Sequence, residues 1–451
     1  MTGKKGTAKS KVAMVSLGCA KNLVNSEQMM FLLKEAGYEV SGDTSHADVA
    51  VVNTCGFIES AKMEAIETII ELGLLKASGH IGKLIVAGCL PERYKSEITR
   101  EMPEIDAVVG VGGFDNIAGI LEQVTEGRGK AEAFGDIDAP VSETGRIITT
   151  SPVWTYMKIA EGCDNKCAYC AIPDIRGRFR SRPVERVLGE ANRLAESGIK
   201  ELILVAQDVT RYGLDLYGER RLPELLTGLC AVDGLEWIRL HYLYPDEIDE
   251  KLVDVIAGND KILKYLDIPI QHINDNVLRR MNRRGSGKDI RELFRRLRGR
   301  IPGLVLRTSI ITGLPGEGER EFEELCEFIG EAKIERAGVF AYSPEEGTPA
   351  AVMVRPDKET ASRRAELITD IQSGIIDEFN ESRIGGTTRV LIESSGDGRF
   401  YGRSFAESPD IDGYIAVKGS SVSLHRFYNI QITGTENGEL LGTALKGEKP
   451  I

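Results

Sequence analysis

Apolar and polar positions follow three successive rhythms along the chain. From residue 11, short apolar runs alternate with stretches whose apolar residues recur three and four apart. The spacing predicts strands at 12–17, 49–53, 83–87 and 107–109, with helices at 25–36 (stopped by Gly37), 58–72 and 91–101 (opened by Pro91). Strands and helices in that order imply a parallel sheet covered on both faces. Residues 126–150, rich in Gly, Glu, Asp and Thr, break the rhythm and read as a linker between a first domain at 11–125 and a second at 151–381. Alternation then resumes, with strand patterns at 154–160, 201–206, 237–242, 265–270, 304–311 and 337–342. Helical patterns such as 184–196, 246–256 and 319–332 lie between them. Six such units predict a partial or full β/α barrel, with its chemistry at the carboxyl ends of the strands. Helical character ends near Phe379. Residues 382–451 change to short strands at 388–393, 400–404, 415–417 and 428–432, separated by glycine turns, which predicts a small antiparallel β barrel or sandwich.

The cysteines give this scaffold a chemistry. Cys163, Cys167 and Cys170 stand in the spacing C-x3-C-x2-C just after the first strand of the second domain. Two disulfides need four cysteines, and tetrahedral zinc held by one short run usually needs four N or S ligands. Three thiolates fit a 4Fe–4S cluster with one iron left open for a small molecule, against the plainer alternative of three buried cysteines. Cys19, Cys55 and Cys89 each follow a predicted strand of the first domain, 36 and 34 residues apart. In a parallel sheet all three strand ends share one edge, where ligands bind. These thiols are therefore expected to meet as a second three-thiolate set, with Gly18, Gly56 and Gly88 allowing close approach to a bulky ligand. Cys230 and Cys326 lie on apolar helical patterns and read as core residues.

Composition narrows the partners. The chain has 451 residues, 42% hydrophobic and 28% charged, which is ordinary for a globular protein of several domains. No apolar run approaches the length of a membrane span. Residues 1–11 are basic and polar without an apolar stretch, so they read as a short disordered arm rather than a secretory signal. Eight cysteines in such a chain predict reduced thiols and a cytoplasmic location. A net charge of −12 argues against bulk affinity for nucleic acid and suits a basic protein partner.

The cysteine loop, with Tyr169 before its last cysteine, resembles the signature of the radical S-adenosylmethionine enzymes. The whole set resembles their methylthiotransferase branch. Ser16-Leu17-Gly18-Cys19-Ala20-Lys21-Asn22, Asn53-Thr54-Cys55-Gly56-Phe57-Ile58 and Tyr342-Ser343-Pro344-Glu345-Glu346-Gly347-Thr348-Pro349-Ala350 are similar to the RimO type. Relatives acting on tRNA usually carry a basic residue where Glu345 or Glu346 stands. The resemblance covers residues 11–451. It implies an α/β fold: an N-terminal flavodoxin-like domain, a central radical-SAM β/α barrel and a C-terminal TRAM barrel. It also implies two 4Fe–4S clusters and S-adenosylmethionine. The Cys163, Cys167 and Cys170 cluster would bind S-adenosylmethionine and release a 5′-deoxyadenosyl radical that abstracts hydrogen from an unactivated carbon. The Cys19, Cys55 and Cys89 cluster would supply sulfur, and a second S-adenosylmethionine the methyl group. The implied target is the β-carbon of an aspartate in small-subunit ribosomal protein twelve, free or in the assembled subunit; the alternative is a tRNA adenosine. A low-potential electron donor, a sulfur donor and a monomeric enzyme are further implied. No catalytic residue is expected beyond the cluster ligands, since the cofactors carry the hard chemistry.

Weaker candidates complete the site. Tyr169, Gln207, Gly313 and Glu317 are expected to contact S-adenosylmethionine, Gly313 by allowing close approach and Glu317 by holding a ribose or capping a helix. The plainer alternative for residues 312–317 is an ordinary strand–turn–helix junction. Gln207-Asp208 and Gln271-His272 follow strands and read either as ligand contacts or as buried, hydrogen-bonded polar residues. Ten Lys or Arg against two acids between Arg279 and Arg300 form either a phosphate-contacting patch or a solvated helical face. From Ser382 onward eight basic and eight acidic residues cancel, which favours a protein target over RNA.

Overall fold

The computed structural model describes residues 10–419 and 422–445; the basic arm read at the N-terminus lies, up to Lys9, outside the described residues. The first sheet holds β1 (Lys11–Ser16), β2 (Glu39–Ser41), β3 (Ala47–Thr54), β4 (Ile81–Gly88), β5 (Ala107–Gly112) and β6 (Ala131–Gly135), in the order β2-β1-β3-β4-β5-β6. All its ladders are parallel. Its central strands are buried on both sides: Val49, Ala50, Val51 and Val52 are successive and fully covered, so β3 reads as a continuous apolar run. β6 corrects the linker reading of 126–150. Ala131 pairs with Ala107 as an edge strand, which needs little apolar periodicity because only one side is laddered.

The second domain opens with β7 (Trp154–Lys158), followed by a two-residue ladder of β8 (Ala160–Glu161) and β9 (Arg180–Ser181) around the cysteine loop. Then come β10 (Glu201–Val205), β11 (Trp237–Leu240), β12 (Ile262–Asp267), β13 (Val305–Thr312) and β14 (Arg336–Ala341). β7 and β10–β14 pair in parallel in chain order, and β14 does not return to β7, so the barrel is partial. Side chains alternate strictly between the two faces, as the two-residue period of a strand requires. Met157, Leu202, Leu204, Ile238 and Leu266 point outward to the helices. Trp154, Tyr156, Ile203, Val205, Trp237 and Tyr265 point inward.

What fills the open interior is the third domain. β15 (Thr387–Gly396), β16 (Arg399–Arg403), β17 (Ile415–Lys418), β18 (Phe427–Glu436) and β19 (Glu439–Ala444) close as a five-stranded barrel in which only the β17–β19 ladder is parallel. Its core is its own: Val390, Ile392, Ile415, Val417, Tyr428 and Ile430. Residues 404–412, between β16 and β17, enter the concave face of the second sheet. Ser408 Oγ lies 2.9 Å from His241 Nε2, and the Tyr265 hydroxyl donates to Asp412 at 2.6 Å. Phe427 meets Trp237 edge-on at 4.7 Å. The helix Ala20–Glu35 of the first domain covers another part of that face through Ala20, Leu23 and Val24. All three domains thus converge on one surface. Among the described residues no helix is long and apolar enough to cross a membrane.

Candidate functional site

β1, β3 and β4 end side by side, β3 and β4 running directly into a cysteine and β1 reaching one three residues on. Cys19 is the residue before helix Ala20–Glu35, Cys55 follows β3 immediately, and Cys89 opens helix Cys89–Tyr94. The three loops pack on one another. A Cβ on Gly18, which has φ +84°, would lie 2.8 Å from Cys55 Cβ; one on Gly56 would lie 2.8 Å from the Cys89 carbonyl oxygen. These glycines therefore serve contact between the cysteine loops, rather than the approach of a ligand that the sequence suggested. Asn22 ties the loops further, donating to the Thr54 carbonyl at 2.9 Å and to that of Leu17 at 3.2 Å.

The charges here favour a thiolate at Cys19, whereas burial opposes one at Cys55 and Cys89. Burial pushes the Cys19 thiol up, but Lys21 and Arg176 outweigh it and bring the thiol below its ordinary value. Burial and the neighbouring thiols push Cys55 up to about 11, so this position needs a bound cation or cluster to ionise at neutral pH. Lys21 is itself buried, its ammonium 3.7 Å from the centre of the Tyr242 ring.

The second cysteine loop is pinned from several sides. The Cys163 N–H donates to the Gly177 carbonyl, the Ala168 N–H to Met281 and the Ala350 N–H to Ala168. Cys167 Sγ lies 3.8 Å from both the Tyr244 hydroxyl and Arg283 Nη1. Burial raises Cys163 to about 11 and Cys170 further still. Tyr169 sits beside Cys167 and Cys170 on Val277, Met281, Leu314, Tyr342 and Ala350. A cleft of about 810 Å³ opens next to Cys163 between Asp164, Lys166, Asp174, Arg178 and Asp215. All eight cysteines are free. Among the described residues no three acid, His or Cys side chains converge as ligands of a single metal ion do. A cubane takes its thiolates on three different irons, so its ligand set is wider.

Several weaker candidates turn inward. Glu317 is enclosed: Oε1 accepts from the Gly313 N–H and from Arg364, each at 2.9 Å, and so buttresses its own turn, while Oε2 lies 3.4 Å from His272 Nε2. Gly313, with φ +77°, lets the turn press against Ala361 instead of a cofactor, since a Cβ there would come within 2.3 Å of Ala361 Cβ. Asp208 accepts from Asn165 at 2.8 Å and so holds the cysteine loop. His272 is fully buried and accepts from the Asn274 N–H at 3.0 Å. Gln207 donates to Glu161 at 2.7 Å, and among the described residues its carbonyl oxygen has no hydrogen-bond partner, as is also true of Glu317 Oε2 and His272 Nε2. Cys230 and Cys326 pack against the outer core of the barrel.

The basic run is largely neutralised. Arg284 pairs with Asp246 and Glu247, Arg291 with Glu331, Arg296 and Arg300 with Glu250, and Arg298 with Glu335. Its Arg283 faces the cysteine loop.

Glu345 has a role the sequence only hinted at. It is 1% exposed, and its Oε2 receives Arg93 at 2.6 Å and Lys62 at 3.2 Å, both from the first domain. Arg93 also donates to the Gly56 carbonyl at 2.8 Å, beside Cys55. An acid at this position therefore latches the first domain onto the barrel. Glu345→Gln keeps the shape and removes the charge. Loss of about 2 kcal/mol is expected, since Arg93 and Lys62 can be partly rehydrated. Denaturant unfolding measures it, and a change below roughly 0.5 kcal/mol would contradict the latch.

A half-open parallel barrel with three cysteines on the loop after its first strand defines a radical S-adenosylmethionine enzyme. The Radical SAM superfamily matches residues 157–329, Uncharacterized protein family UPF0004 residues 11–110 and the TRAM domain residues 384–445. The chain is 47% identical over 440 residues to "Ribosomal protein uS12 methylthiotransferase RimO" of Lachnoclostridium phytofermentans, covering 96% of this chain and 100% of that one. It is 47% identical over 449 residues to the protein of the same name from Acetivibrio thermocellus, covering 97% and 99%. The chain belongs to the RimO family. Among solved structures, the radical S-adenosylmethionine methyltransferase TsrM from Kitasatospora setae, with cobalamin and a [4Fe-4S] cluster bound, shares the fold at TM-score 0.56 and 16% identity. That match covers 92% of this chain and 83% of TsrM.

Proposed function

We propose that this protein methylthiolates the β-carbon of an aspartate in ribosomal protein uS12, with Cys163, Cys167 and Cys170 holding one 4Fe–4S cluster and Cys19, Cys55 and Cys89 the other. The observation that carries this reading is the juxtaposition of the two sets. Helix Ile172–Arg176 begins two residues after Cys170, and Ala171 and Ile175 pack directly on Cys89. When bound, the two clusters and S-adenosylmethionine supply the radical, the sulfur and the methyl group.

The chain's own residues position, enclose and exclude water. Arg283 and Tyr244 flank Cys167 Sγ, and the unpartnered Gln207 carbonyl offers a buried acceptor to S-adenosylmethionine or substrate. Tyr169 seals the loop from below. Residues 404–412 fill the open barrel, so the reactive carbon would be shielded from solvent on that side. In this reading the enzyme works as a cytoplasmic monomer and draws on a low-potential electron donor and a sulfur donor.

A protein target agrees with the charge. In the third domain Arg383, Arg389, Arg399 and Arg403 are each committed to an acid: Glu407, Glu236, Glu436 and Glu201 respectively. Four of the domain's eight basic residues are thus neutralised, which weakens the basic surface that RNA binding needs. Anaerobic incubation of reconstituted enzyme with uS12, S-adenosylmethionine, sulfide and reductant should add one methylthio group to one aspartate, read by intact mass and fragmentation. An unmodified uS12 together with modified tRNA adenosine would overturn the reading.

A further inference from the structure

Helix Ile172–Arg176 ends on a guanidinium that is 1% exposed and reaches out of its own domain. Arg176 Nη2 donates to Cys89 Sγ at 3.3 Å and also to the Asn22 side-chain carbonyl, both in the first domain. Its Nη1 donates to Glu161 Oε1 at 2.9 Å, two residues before Cys163. One residue therefore links the loop of one cysteine set to a sulfur of the other.

The surrounding charges do not balance without that sulfur. Glu161 is shared between Arg176 and Lys158, the latter at 2.8 Å, so one carboxylate faces two buried cations. Arg182 is already matched by Glu143 and Glu190. Lys21, also buried, stands over a tyrosine ring rather than a carboxylate. A buried cation with only part of its charge compensated is expensive, and an anion close by relieves it. The groups within reach that become anionic on holding a cluster are the sulfurs of Cys89 and Cys19.

We propose that Arg176 is a positioning residue for the first-domain cluster, setting through its N–H donor and its charge on Cys89 how readily that cluster accepts an electron. This rests on the reading that Cys19, Cys55 and Cys89 hold a cluster. Hydrogen bonds to ligand sulfur and nearby positive charge stabilise the more negative, reduced state and raise the reduction potential. The donor comes from the second domain, so the first-domain cluster has its full potential only when the two domains are docked. The other set has a weaker counterpart, Arg283 at 3.8 Å from Cys167 Sγ.

The test isolates the cluster. In full-length protein with Cys163, Cys167 and Cys170 replaced by alanine, the midpoint potential is measured by EPR-monitored titration for Arg176, Arg176→Lys and Arg176→Gln. It is also measured for the double variant Arg176→Gln/Glu161→Gln, which strands no buried carboxylate. Arg176→Gln is expected to keep its iron and to lower the reduced-to-oxidised ratio at fixed potential at least tenfold, 59 mV for one electron. The double variant, which loses a carboxylate as well as the guanidinium, is expected to shift in the same direction by less. Arg176→Lys should recover most of that shift. An unchanged midpoint in iron-loaded Arg176→Gln, or a double variant whose midpoint moves upward, would overturn the proposal. So would an equal shift of the Cys163, Cys167 and Cys170 cluster when the first-domain cysteines are the ones replaced. Absence of iron in the isolating background with Arg176 intact would instead overturn the cluster reading on which the proposal rests.

Discussion

Alanine at Cys19, Cys55 and Cys89 together is expected to abolish methylthio transfer while sparing reductive cleavage of S-adenosylmethionine. Iron should fall from about eight to about four per chain. Alanine at Cys163, Cys167 and Cys170 should abolish both reactions with the same loss of iron. The asymmetry follows from where the two sets sit. The first occupies the ends of β1, β3 and β4, whereas the second lies on one loop pinned by Met281, Ala350 and Gly177. Neither substitution touches Gly18 or Gly56, so the first-domain loops keep the contacts that pack them. The third domain has a separate core and should be unaffected. Iron content, 5′-deoxyadenosine formation and product mass are read on the same preparations. Loss of 5′-deoxyadenosine in the first variant, with the second cluster still loaded, would show that the two sets do not divide the chemistry in this way.

Much of this site was legible because parallel sheets are regular. Once strands were read before Cys19, Cys55 and Cys89, the rule that ligands gather at the carboxyl edge brought three distant thiols together, and the chain does place them on adjacent strand ends. Cys19 and Cys55 flank the place where the strand order reverses, between β1 and β3. What periodicity could not give was the role of polar residues inside the fold. Arg176 lies on a five-residue helix with no apolar rhythm, and its partners are 154 and 87 residues away. Nothing in the local pattern marks Glu345 as a domain contact, because its partners, Arg93 and Lys62, lie 252 and 283 residues away on the first domain. Glu317 and Gly313 show how one signal serves either alternative. Glycine and acid at a strand end suggest a ligand contact or a plain junction, and helix Lys358–Ser382 packs on both, Ala361 on Gly313 and Arg364 on Glu317 Oε1. Edge strands β2 and β6 were missed because three to five residues with one laddered side carry too little alternation to read.

The charged interior of the barrel carries the second large effect. Glu201, at the start of β10, is fully buried and accepts from Arg239 Nε and Arg403 Nη2, both at 2.8 Å. Arg403 arrives from the third domain with Glu393 at 2.5 Å, and Arg239 donates to the Phe405 carbonyl at 2.8 Å. Glu201 is therefore the point at which the third domain is fastened inside the second. Glu201→Ala leaves the buried Arg239 without a carboxylate and Arg403 with Glu393 alone, and removing one partner of a buried ion set costs about 3–5 kcal/mol. That is a large part of the roughly 5–15 kcal/mol that holds an ordinary domain folded. Undocking of residues 404–412 is expected rather than unfolding of the third barrel, whose core lies elsewhere. Hydrogen exchange should accelerate at Ser404, Glu407 and Ser408 while β17 and β18 stay protected. The pH dependence has a definite sign. Burial pushes the Glu201 carboxyl up, but Arg403 and Arg239 outweigh it and hold the group below its ordinary 4.5. Its contribution is thus complete above the unfolded value and lost as pH falls through the lower folded one. Glu201→Gln should remove that acid-side loss as well as most of the stability. Replacing Glu201, Arg239 and Arg403 together with leucine or methionine, and Glu393 with glutamine, should restore part of the stability, because no buried charge is then stranded. Unchanged exchange at 404–412 in Glu201→Ala would mean that the apolar contacts, Phe427 on Trp237 foremost, hold the domain without the ions.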